Sequence, residues 1–364
     1  MAKRSRGKSQ LTEWQIIDRL TARFTAADHR VLLGLGDDAA VLRSGGASDS
    51  ALRLNLADLV VTTDLLIEGV HFSLDYMSLA DVGFKALAVN LSDIAAMGAM
   101  PSHAFGQLGV PRGTPAAQLE DLLDGVMEAA TLGEVTLAGG DTVAAPQWTL
   151  GFTVHGEMRG EALKRSGARP GDTIWHSGSL GLSQIGFHHL WSGVTPVPSR
   201  SALAHRRPVP QLALGSFLHE SGLATACLDL SDSLSQCLVL LAQASGVGLM
   251  LDFHGYAFDD NVQAFISKKR RWLREGANGF SVPAKMNPAG RAQRFRSWAE
   301  FILSSAEDYE LLFTVPPPAT ARLLKESPVP LTRLGTVVDQ GEGLHYRAED
   351  GRTMELTAAG FEHL

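Results

Sequence analysis

The residues of this chain best suited to chemistry are aspartates that follow apolar runs. Asp37 and Asp38 stand in the glycine-rich GLGDDA, Asp64 follows LVVTT, and Asp141 follows a glycine pair. Any one aspartate at such a place is commonly a turn or capping residue. As a set they indicate more, because clustered carboxylates repel one another unless a hard cation lies between them, and Mg²⁺ accepts both carboxylate and phosphate oxygens. The set also includes Asp93, Asp229 and Asp232.

Two nucleotide-binding motifs compete with this interpretation. GLGDDA fits the dinucleotide-binding pattern, but Ser44, Gly45 and Gly46 would end any following helix within about two turns, and two aspartates would repel a pyrophosphate. The N-terminal RGKS lacks the leading glycine and the preceding strand of a P-loop and is expected to be a disordered basic tail. We therefore reject both motifs. Glycines that could approach a phosphate or simply form tight turns are Gly34, Gly36, Gly139, Gly140, Gly178 and Gly181.

Three further polar features have both a functional and a structural interpretation. His71 in EGVHF could contact an anionic substrate, although a histidine beside Phe72 is more often structural. Arg165 in LKRSG could pair with a phosphate through its planar guanidinium, although a lone arginine usually lies on the surface. The KKRR run at 268–271 lies in a segment rich in charged and turn residues, which predicts an exposed insertion over 255–296.

The elements that must position these residues follow from the hydrophobic pattern. Helices are predicted over 12–24, over 81–97, where Gly98 and Pro101 end a largely buried helix, and over 115–132. Strands are predicted over 31–33, over 59–63 directly before Asp64, over 135–138 before the glycine pair and Asp141, and over 148–155 and 173–175. A proline-rich connector is predicted over 196–210, and a domain boundary near Gly156.

Composition limits the class of protein. At 364 residues and 45% hydrophobic content the chain can form two packed cores. Its net charge of −7 argues against nucleic acid or an anionic membrane as the main partner. No signal-peptide or membrane-spanning pattern is evident, so a cytoplasmic location is expected. The two cysteines, Cys227 and Cys237, fit neither a zinc site nor a disulfide framework and are predicted to be reduced and buried.

Taken together, the motifs resemble those of the thiamine-monophosphate kinases. This family belongs to a superfamily with aminoimidazole ribonucleotide synthetase, selenophosphate synthetase and a hydrogenase-maturation protein. The resemblance covers most of the chain and rests on nine segments in the family's order. They are GLGDDAAV, VTTDLLIEGVHF, DVGFKALAVNLSDIAAMGAMP, AGGDT, ALKRSGARPGD, SGSLGLS, LDLSDSL, EDYELLFT and GFEHL.

The resemblance implies an α/β fold with a two-domain α+β architecture. Residues 1–155 would form the N-terminal metal- and ATP-binding domain that dimerises through its sheet. Residues 156–364 would form a C-terminal α/β domain with an insertion near 255–300, and the nucleotide cleft would lie between the two. The implied reaction is ATP-dependent phosphorylation of thiamine monophosphate to thiamine diphosphate by direct in-line transfer, assisted by several Mg²⁺ ions, in a cytoplasmic homodimer.

The same resemblance assigns residues to roles. Thiamine monophosphate would meet His71, Glu307 and Phe361. ATP would contact Gly140, Asp141, Arg165 and Ser231. No protein nucleophile is expected, because a phosphate monoester with a second pKa of about 6 is already largely a dianion at neutral pH. The implied metal ligands are Asp38, Thr62, Thr63, Asp64, Asp93, Asp141, Asp229 and Asp232.

Departures from the family pattern keep two alternatives open. Ser233 replaces a glycine expected in LSDGL, Ser305 and Ala306 replace a glycine pair, and the stretch between Asp232 and Glu307 is longer than usual. One alternative is a catalytically altered ATP-binding paralogue. The other is a different ATP-dependent activity of the superfamily. Selenophosphate synthesis and hydrogenase maturation fit less well, because the chain has no cysteine before Cys227 and ends in FEHL.

Overall fold

The structure is a computed structural model, and it describes residues 30–34, 36–44, 57–193, 199–265, 281–282, 293–294 and 297–358. The helix predicted over 12–24, the basic tail, the KKRR run and Phe361 lie outside these residues. Only part of the predicted insertion near 255–300 is described.

A six-stranded sheet occupies the first part of the chain. Its strands are β1 (Val31–Leu33), β2 (Ala40–Leu42), β3 (Asp58–Ile67), β4 (Met100–Pro111), β5 (Thr136–Ala145) and β6 (Thr149–Met158). Their order is β1-β2-β3-β6-β4-β5, with β4 and β5 parallel and the other neighbours antiparallel. Strands β3 and β5 are longer than predicted, and Asp64 and Asp141 therefore lie within strands instead of following them.

Two helices pack together on this sheet. Helix α1 (Leu79–Ala96) begins at Ser78, whose side chain accepts a hydrogen bond from the Asp81 N–H, and fifteen of its eighteen residues are buried. Helix α2 spans Ala116–Leu132 and follows Pro115. Glycines bring the two backbones close, since a Cβ added to Gly125 would lie 1.8 Å from the Ala80 carbonyl oxygen. Asp93 thus lies in the last turn of α1, as predicted.

A seven-stranded sheet forms the second half. Its strands are β7 (Thr173–Ser177), β8 (Ala226–Asp229), β9 (Gly248–Asp252), β12 (Leu311–Val315), β13 (Leu331–Val338), β14 (Leu344–Arg347) and β15 (Thr353–Glu355), in the order β15-β14-β9-β13-β7-β12-β8. Two short strands, β10 (Ser281–Val282) and β11 (Gln293–Arg294), pair with each other. The first sheet ends at Met158 and the second begins at Thr173, so the predicted boundary near Gly156 lies within β6, and the division into domains stays a prediction.

The second sheet is accompanied by helices, six of which have both ends inside the described residues. They are α3 (Leu182–Ser192), α4 (Ser199–Arg206), α5 (Leu212–Ser221), α6 (Leu234–Ser245), α7 (Trp298–Leu303) and α8 (Thr320–Glu326). Helix α4 lies inside the segment predicted as a proline-rich connector, so that prediction was incomplete: prolines flank the helix and do not interrupt it. None of the described helices is long and apolar enough to cross a membrane.

Buried side chains form cores in both halves and at their junction. One core joins β3, β4 and β6 to α1, and another joins the second sheet to α6 and α7. A third contains Ala95 and Ala96 of α1 together with Leu214 and Leu218 of α5 and Phe313 of β12. The end of α1, which carries Asp93, is therefore packed against the second half of the chain. Both cysteines are buried and free, as predicted.

Candidate functional site

A buried acidic cluster lies where the two halves meet. Asp38, in the loop before β2, Asp93, in the last turn of α1, and Asp229, at the end of β8, each place one carboxylate oxygen within 4.8 Å of the others. Asp38 and Asp93 come from the first half of the chain and Asp229 from the second. Among the described residues, this is the group of three acidic, histidine or cysteine side chains whose ligand atoms lie this close together.

Strand β3 adds two of the predicted residues to this cluster. The Thr62 hydroxyl donates a 2.5 Å hydrogen bond to Asp93 Oδ2. Burial, followed by the charge of Asp229, raises the pKa of Asp64 to about 6. Burial likewise raises the pKa of Asp93, and the charges of Asp64, Asp229 and Asp38 add to the shift. Four carboxyl groups are therefore close enough to hinder one another's ionisation.

Arg165 neutralises one member of the cluster. Its Nη2 and Nε lie 2.5 and 3.1 Å from Asp38 Oδ1. Burial still raises the pKa of Asp38 to about 7, with Arg165 opposing the shift and Asp229 adding to it. The other oxygen, Asp38 Oδ2, is buried and has no hydrogen-bond donor. A buried oxygen of this kind is available to a cation.

Asp37 has a different role from Asp38. Its Oδ1 accepts hydrogen bonds from the backbone N–H groups of Asp38 and Arg165, at 3.1 and 3.2 Å. These bonds fix the backbone of both partners in the Asp38–Arg165 pair. Asp37 therefore holds the loop, which agrees with its absence from the predicted ligand set.

The segment after β8 orients Asp229 and connects it with Glu307. The Ser92 and Ser231 hydroxyls donate to the two oxygens of Asp229 at 2.7 and 2.9 Å. The Ser231 carbonyl oxygen accepts a 3.0 Å hydrogen bond from the Glu307 N–H. Glu307 has a φ of 59°, a left-handed conformation that is uncommon outside glycine. A strained backbone thus places Glu307 directly beside the aspartate loop.

Not every predicted ligand lies on the cluster side of the first sheet. Register places Asp64, Phe152, Gly106 and Gly140 in one row across β3, β6, β4 and β5, and Asp141 in the next row with Leu65. Adjacent rows point to opposite faces, and three strand spacings separate β3 from β5 by about 14 Å. Asp141 therefore lies on the opposite face from Asp64. The Thr63 hydroxyl also points away from the cluster and donates to the Phe152 carbonyl oxygen at 3.1 Å. Asp232 is not one of the three aspartates whose carboxylate oxygens meet metal-ligand spacing.

Gly140 has a structural reason to be glycine. A Cβ there would lie 2.0 Å from the Gly106 carbonyl oxygen, so the close approach of β4 and β5 excludes any larger residue. GLGDDA is followed by strand β2, which agrees with the rejection of a dinucleotide-binding motif.

A second polar group surrounds Glu307. Lys85 Nζ lies 3.1 Å from Glu307 Oε1, and His205 Nδ1 lies 3.4 Å from Oε2. Burial alone would raise the pKa of Glu307, but Lys85, His205 and His71 together hold it below its usual value. The His71 Nδ1 accepts a 3.0 Å hydrogen bond from the Ile67 N–H, which places any ring proton of the neutral form on Nε2. Lys85 and His205 are absent from the predicted site.

The departures from the family pattern fit the backbone without strain. Ser233 has φ −62° and ψ 146°, which any residue adopts, and its hydroxyl caps α6 by accepting from the Gln236 N–H. Ser305 is buried and donates to the Ile302 carbonyl oxygen at 2.7 Å. Neither Ser305 nor Ala306 has a positive φ. These positions therefore do not require glycine.

Sequence comparison shows what known proteins the chain is similar to. The family model for the AIR synthase related protein, N-terminal domain, matches residues 36–158. The thiamine-monophosphate kinase of Escherichia coli O157:H7 is 33% identical over 360 residues, 96% of this chain and 98% of that protein. That of Bacillus subtilis is 30% identical over 97% of this chain and 99% of that protein.

Solved structures extend the likeness to the whole fold. AaThiL complexed with AMPPCP and TMP has a TM-score of 0.77 at 25% identity and covers 99% of each chain. The thiamine-monophosphate kinase of Stenotrophomonas maltophilia K279a has a TM-score of 0.67 at 32% identity, covering 95% of this chain and 98% of that one. The E. coli hydrogenase maturation protein HypE shares the fold, with a TM-score of 0.65 at 16% identity over 95% and 98% of the two chains. Full-length similarity at this level shows that the chain belongs to the thiamine-monophosphate kinase family.

Proposed function

We propose that this chain transfers the γ-phosphoryl group of ATP directly to the phosphate of thiamine monophosphate, giving thiamine diphosphate and ADP. The observation that carries the proposal is the acidic cluster of Asp38, Asp93 and Asp229, in which both halves of the chain place carboxylate oxygens within 4.8 Å. Curated relatives that span the chain, such as that of Escherichia coli O157:H7, are thiamine-monophosphate kinases, and one solved relative is complexed with AMPPCP and TMP.

We propose that the cluster holds Mg²⁺, and its donors fit that ion. The donors are all oxygens, which Mg²⁺ prefers, and Asp38 Oδ2 is a buried acceptor without a hydrogen bond. Thr62 orients Asp93, while Ser92 and Ser231 orient Asp229, so the donors are held before any ion arrives. When bound, Mg²⁺ would neutralise the phosphates and align the attacking and leaving oxygens.

The protein's own part in the reaction is placement and charge. A phosphate with a second pKa of about 6 needs no general base at neutral pH. Arg165 stands beside the cluster with a guanidinium suited to phosphate oxygens, and we assign it to ATP together with Gly140 and Ser231. Asp141, which lies on the opposite face of the first sheet, is left out of this site. On the other side of Ser231, we assign His71 and Glu307 to thiamine monophosphate, and Phe361 as well.

We also propose that two copies pair through the first sheet. Its face opposite α1, here called the open face, carries Thr63, Leu65, Phe105, Gln107 and Val143. Leu65 and Val143 are 50% and 55% exposed. Strand β5 lies at the edge of the sheet with nearly all of its residues exposed. A sheet face with exposed apolar side chains beside a sheet edge is a typical surface for association, and the mass in solution tests it.

Incubation with ATP, Mg²⁺ and thiamine monophosphate tests the reaction. Thiamine diphosphate and ADP are expected in equal amounts, measured by chromatography, and thiamine without its phosphate should give no product. Asp229→Asn serves as the site control and should abolish product while the protein stays folded. ATP binding without any thiamine diphosphate, even at high enzyme concentration, would refute the kinase assignment.

A further inference from the structure

Lys85 is a charged residue in the interior of an otherwise apolar helix. Only 1% of its side chain is exposed, although it lies midway along α1 among Phe84, Ala86 and Leu87 of the first core. A buried ammonium group is unfavourable unless an anion compensates it. Glu307 supplies that anion from the far half of the chain at 3.1 Å.

Glu307 is held from both sides and still reaches solvent. Lys85 contacts one carboxylate oxygen and His205 the other, while the side chain remains 32% exposed. Its backbone is fixed in the left-handed region and bonded to Ser231. One edge of the carboxylate is thus anchored, and the exposed remainder can meet a ligand next to the aspartate loop.

His205 is a buried, neutral neighbour of Glu307. It is 2% exposed, and burial followed by the charge of Lys85 lowers its pKa to about 3. Its Nδ1 lies 3.4 Å from Glu307 Oε2 and within hydrogen-bond distance of Ser183 Oγ, at 3.2 Å. The net charge of the Lys85–Glu307–His205 group is therefore zero, with the negative end facing outwards.

Aromatic rings stand beside this carboxylate. The Tyr76 ring lies 6.1 Å from the His205 ring and 6.2 Å from Trp191, and Phe187 lies 5.0 Å from His205. Trp191 is 40% exposed, and Tyr76 and Phe187 are partly exposed. Ring faces and a carboxylate both attract a flat cation. Thiazolium, the charged ring of thiamine monophosphate, is such a group.

We infer that Lys85 is a positioning residue of the acceptor site: it anchors the Glu307 carboxylate beside His205 and the aromatic rings that pack on it, and so sets the preference for an acceptor with a positively charged aromatic ring. This inference rests on the proposed function and deepens it. Lys85 acts through Glu307 and is not assigned a contact with a reacting atom.

Substitution of Lys85 by Met, which keeps the length of the side chain and removes its charge, tests the inference. Without its partner the Glu307 carboxylate loses its anchor, so the KM for thiamine monophosphate should rise about 10- to 100-fold while kcat changes less than about 3-fold. The KM for ATP should stay at the wild-type value. Lys325→Met, an exposed lysine on α8, is the matched control and should change none of these constants.

A double-variant cycle separates positioning from folding. Because Lys85 acts through Glu307, the Lys85→Met/Glu307→Gln protein should bind thiamine monophosphate no more weakly than Glu307→Gln alone. Discrimination between thiamine monophosphate and its uncharged thiophene isostere should be present in the wild type and lost in Lys85→Met. Thermal unfolding establishes that each variant is folded.

Calorimetric binding of thiamine monophosphate keeps the two proposals distinguishable. If the wild-type protein binds thiamine monophosphate but makes no thiamine diphosphate, the proposed reaction is refuted. The double-variant cycle can then still be measured from the binding affinities for thiamine monophosphate. A folded Lys85→Met with wild-type affinity, losses that multiply in the double variant, or a wild type that does not bind thiamine monophosphate would each overturn the inference about Lys85.

Discussion

Among single residues, Asp64 shows that a carboxyl group placed for metal binding lowers the stability of the metal-free protein. Burial, followed by the charge of Asp229, raises its pKa to about 6, and Asp64 in turn adds to the raised pKa of Asp93. Its folded-state pKa thus exceeds the ordinary value of 3.8, so the contribution to stability is present below pH 4 and is lost as pH rises through about 6. At neutral pH the ionised Asp64 carboxylate therefore destabilises the metal-free fold.

Asp64→Asn is therefore expected to stabilise the metal-free protein and to inactivate it. The substitution removes the repulsion without changing the size of the side chain, which should raise the free energy of unfolding at pH 8 by roughly 1 to 3 kcal/mol. It should also lower kcat by about 100-fold or more, because an acidic donor for the cation is lost. Denaturant unfolding and steady-state kinetics measure the two effects.

Asp58→Asn, at the start of the same strand, is the control and should leave both quantities near wild type. The gain in stability at Asp64 should shrink as pH falls below about 6, since the wild-type carboxyl is then protonated. A destabilised Asp64→Asn protein at pH 8, or one with wild-type turnover, would contradict this account.

Residue identity could be predicted from sequence better than residue direction. Asp38, Asp93 and Asp229 were predicted as ligands and lie together. Thr63 and Asp141 were predicted with them but point to the other face. Side chains alternate along a strand, which separates Thr63 from Thr62 and Asp64, and β5 continues past its predicted end through Asp141. Lys85 was missed because a single lysine in a helical apolar pattern does not show which partner, 222 positions away along the chain, compensates it.

At the scale of elements, prolines and serines were harder to interpret than apolar runs. The bounds of α1 and α2 agree closely with the predictions, since buried residues at helical spacing end at glycine or begin at proline. The proline-rich segment concealed α4, which brings His205 to Glu307. Ser233 departed from the family pattern because a capping serine replaces the glycine, and the backbone there accepts either residue.

Strand β5 carries the prediction about assembly. If two copies associate through the open face, Val143→Lys should bury a positive charge from each copy in the contact and convert the dimer to a monomer at micromolar concentration. Sedimentation equilibrium should give twice the chain mass for the wild type and the chain mass for the variant. Met127→Lys, at a 53% exposed position on α2, is the control and should stay dimeric. A monomeric wild type, or a dimeric Val143→Lys protein, would refute association through this face.

At the scale of the whole molecule, the acidic cluster also lies at the contact between the two halves of the chain. Asp38 and Asp93 belong to the half built on the first sheet, whereas Asp229 ends a strand of the second. The Arg165–Asp38 pair, the Ser92–Asp229 hydrogen bond and the Lys85–Glu307 pair all cross between these halves. A cation bound by carboxylates from both sides would therefore stabilise the junction as well as the reactive phosphates.

This arrangement predicts that Mg²⁺ stabilises the fold and that the effect depends on pH. Burial raises the pKa of Asp38 to about 7 and that of Asp64 to about 6, so the ion must displace protons at pH 5.5 but meets ionised carboxylates at pH 8. Saturation about 100-fold above Kd adds about 2.7 kcal/mol, which corresponds to a rise in Tm of several degrees for a protein of this size. The rise should be clear at pH 8 and much smaller at pH 5.5, as measured by calorimetry without nucleotide. Asp229→Asn should lose most of it, and an equal rise at both pH values, or an undiminished rise in that variant, would exclude the cluster as the Mg²⁺ site.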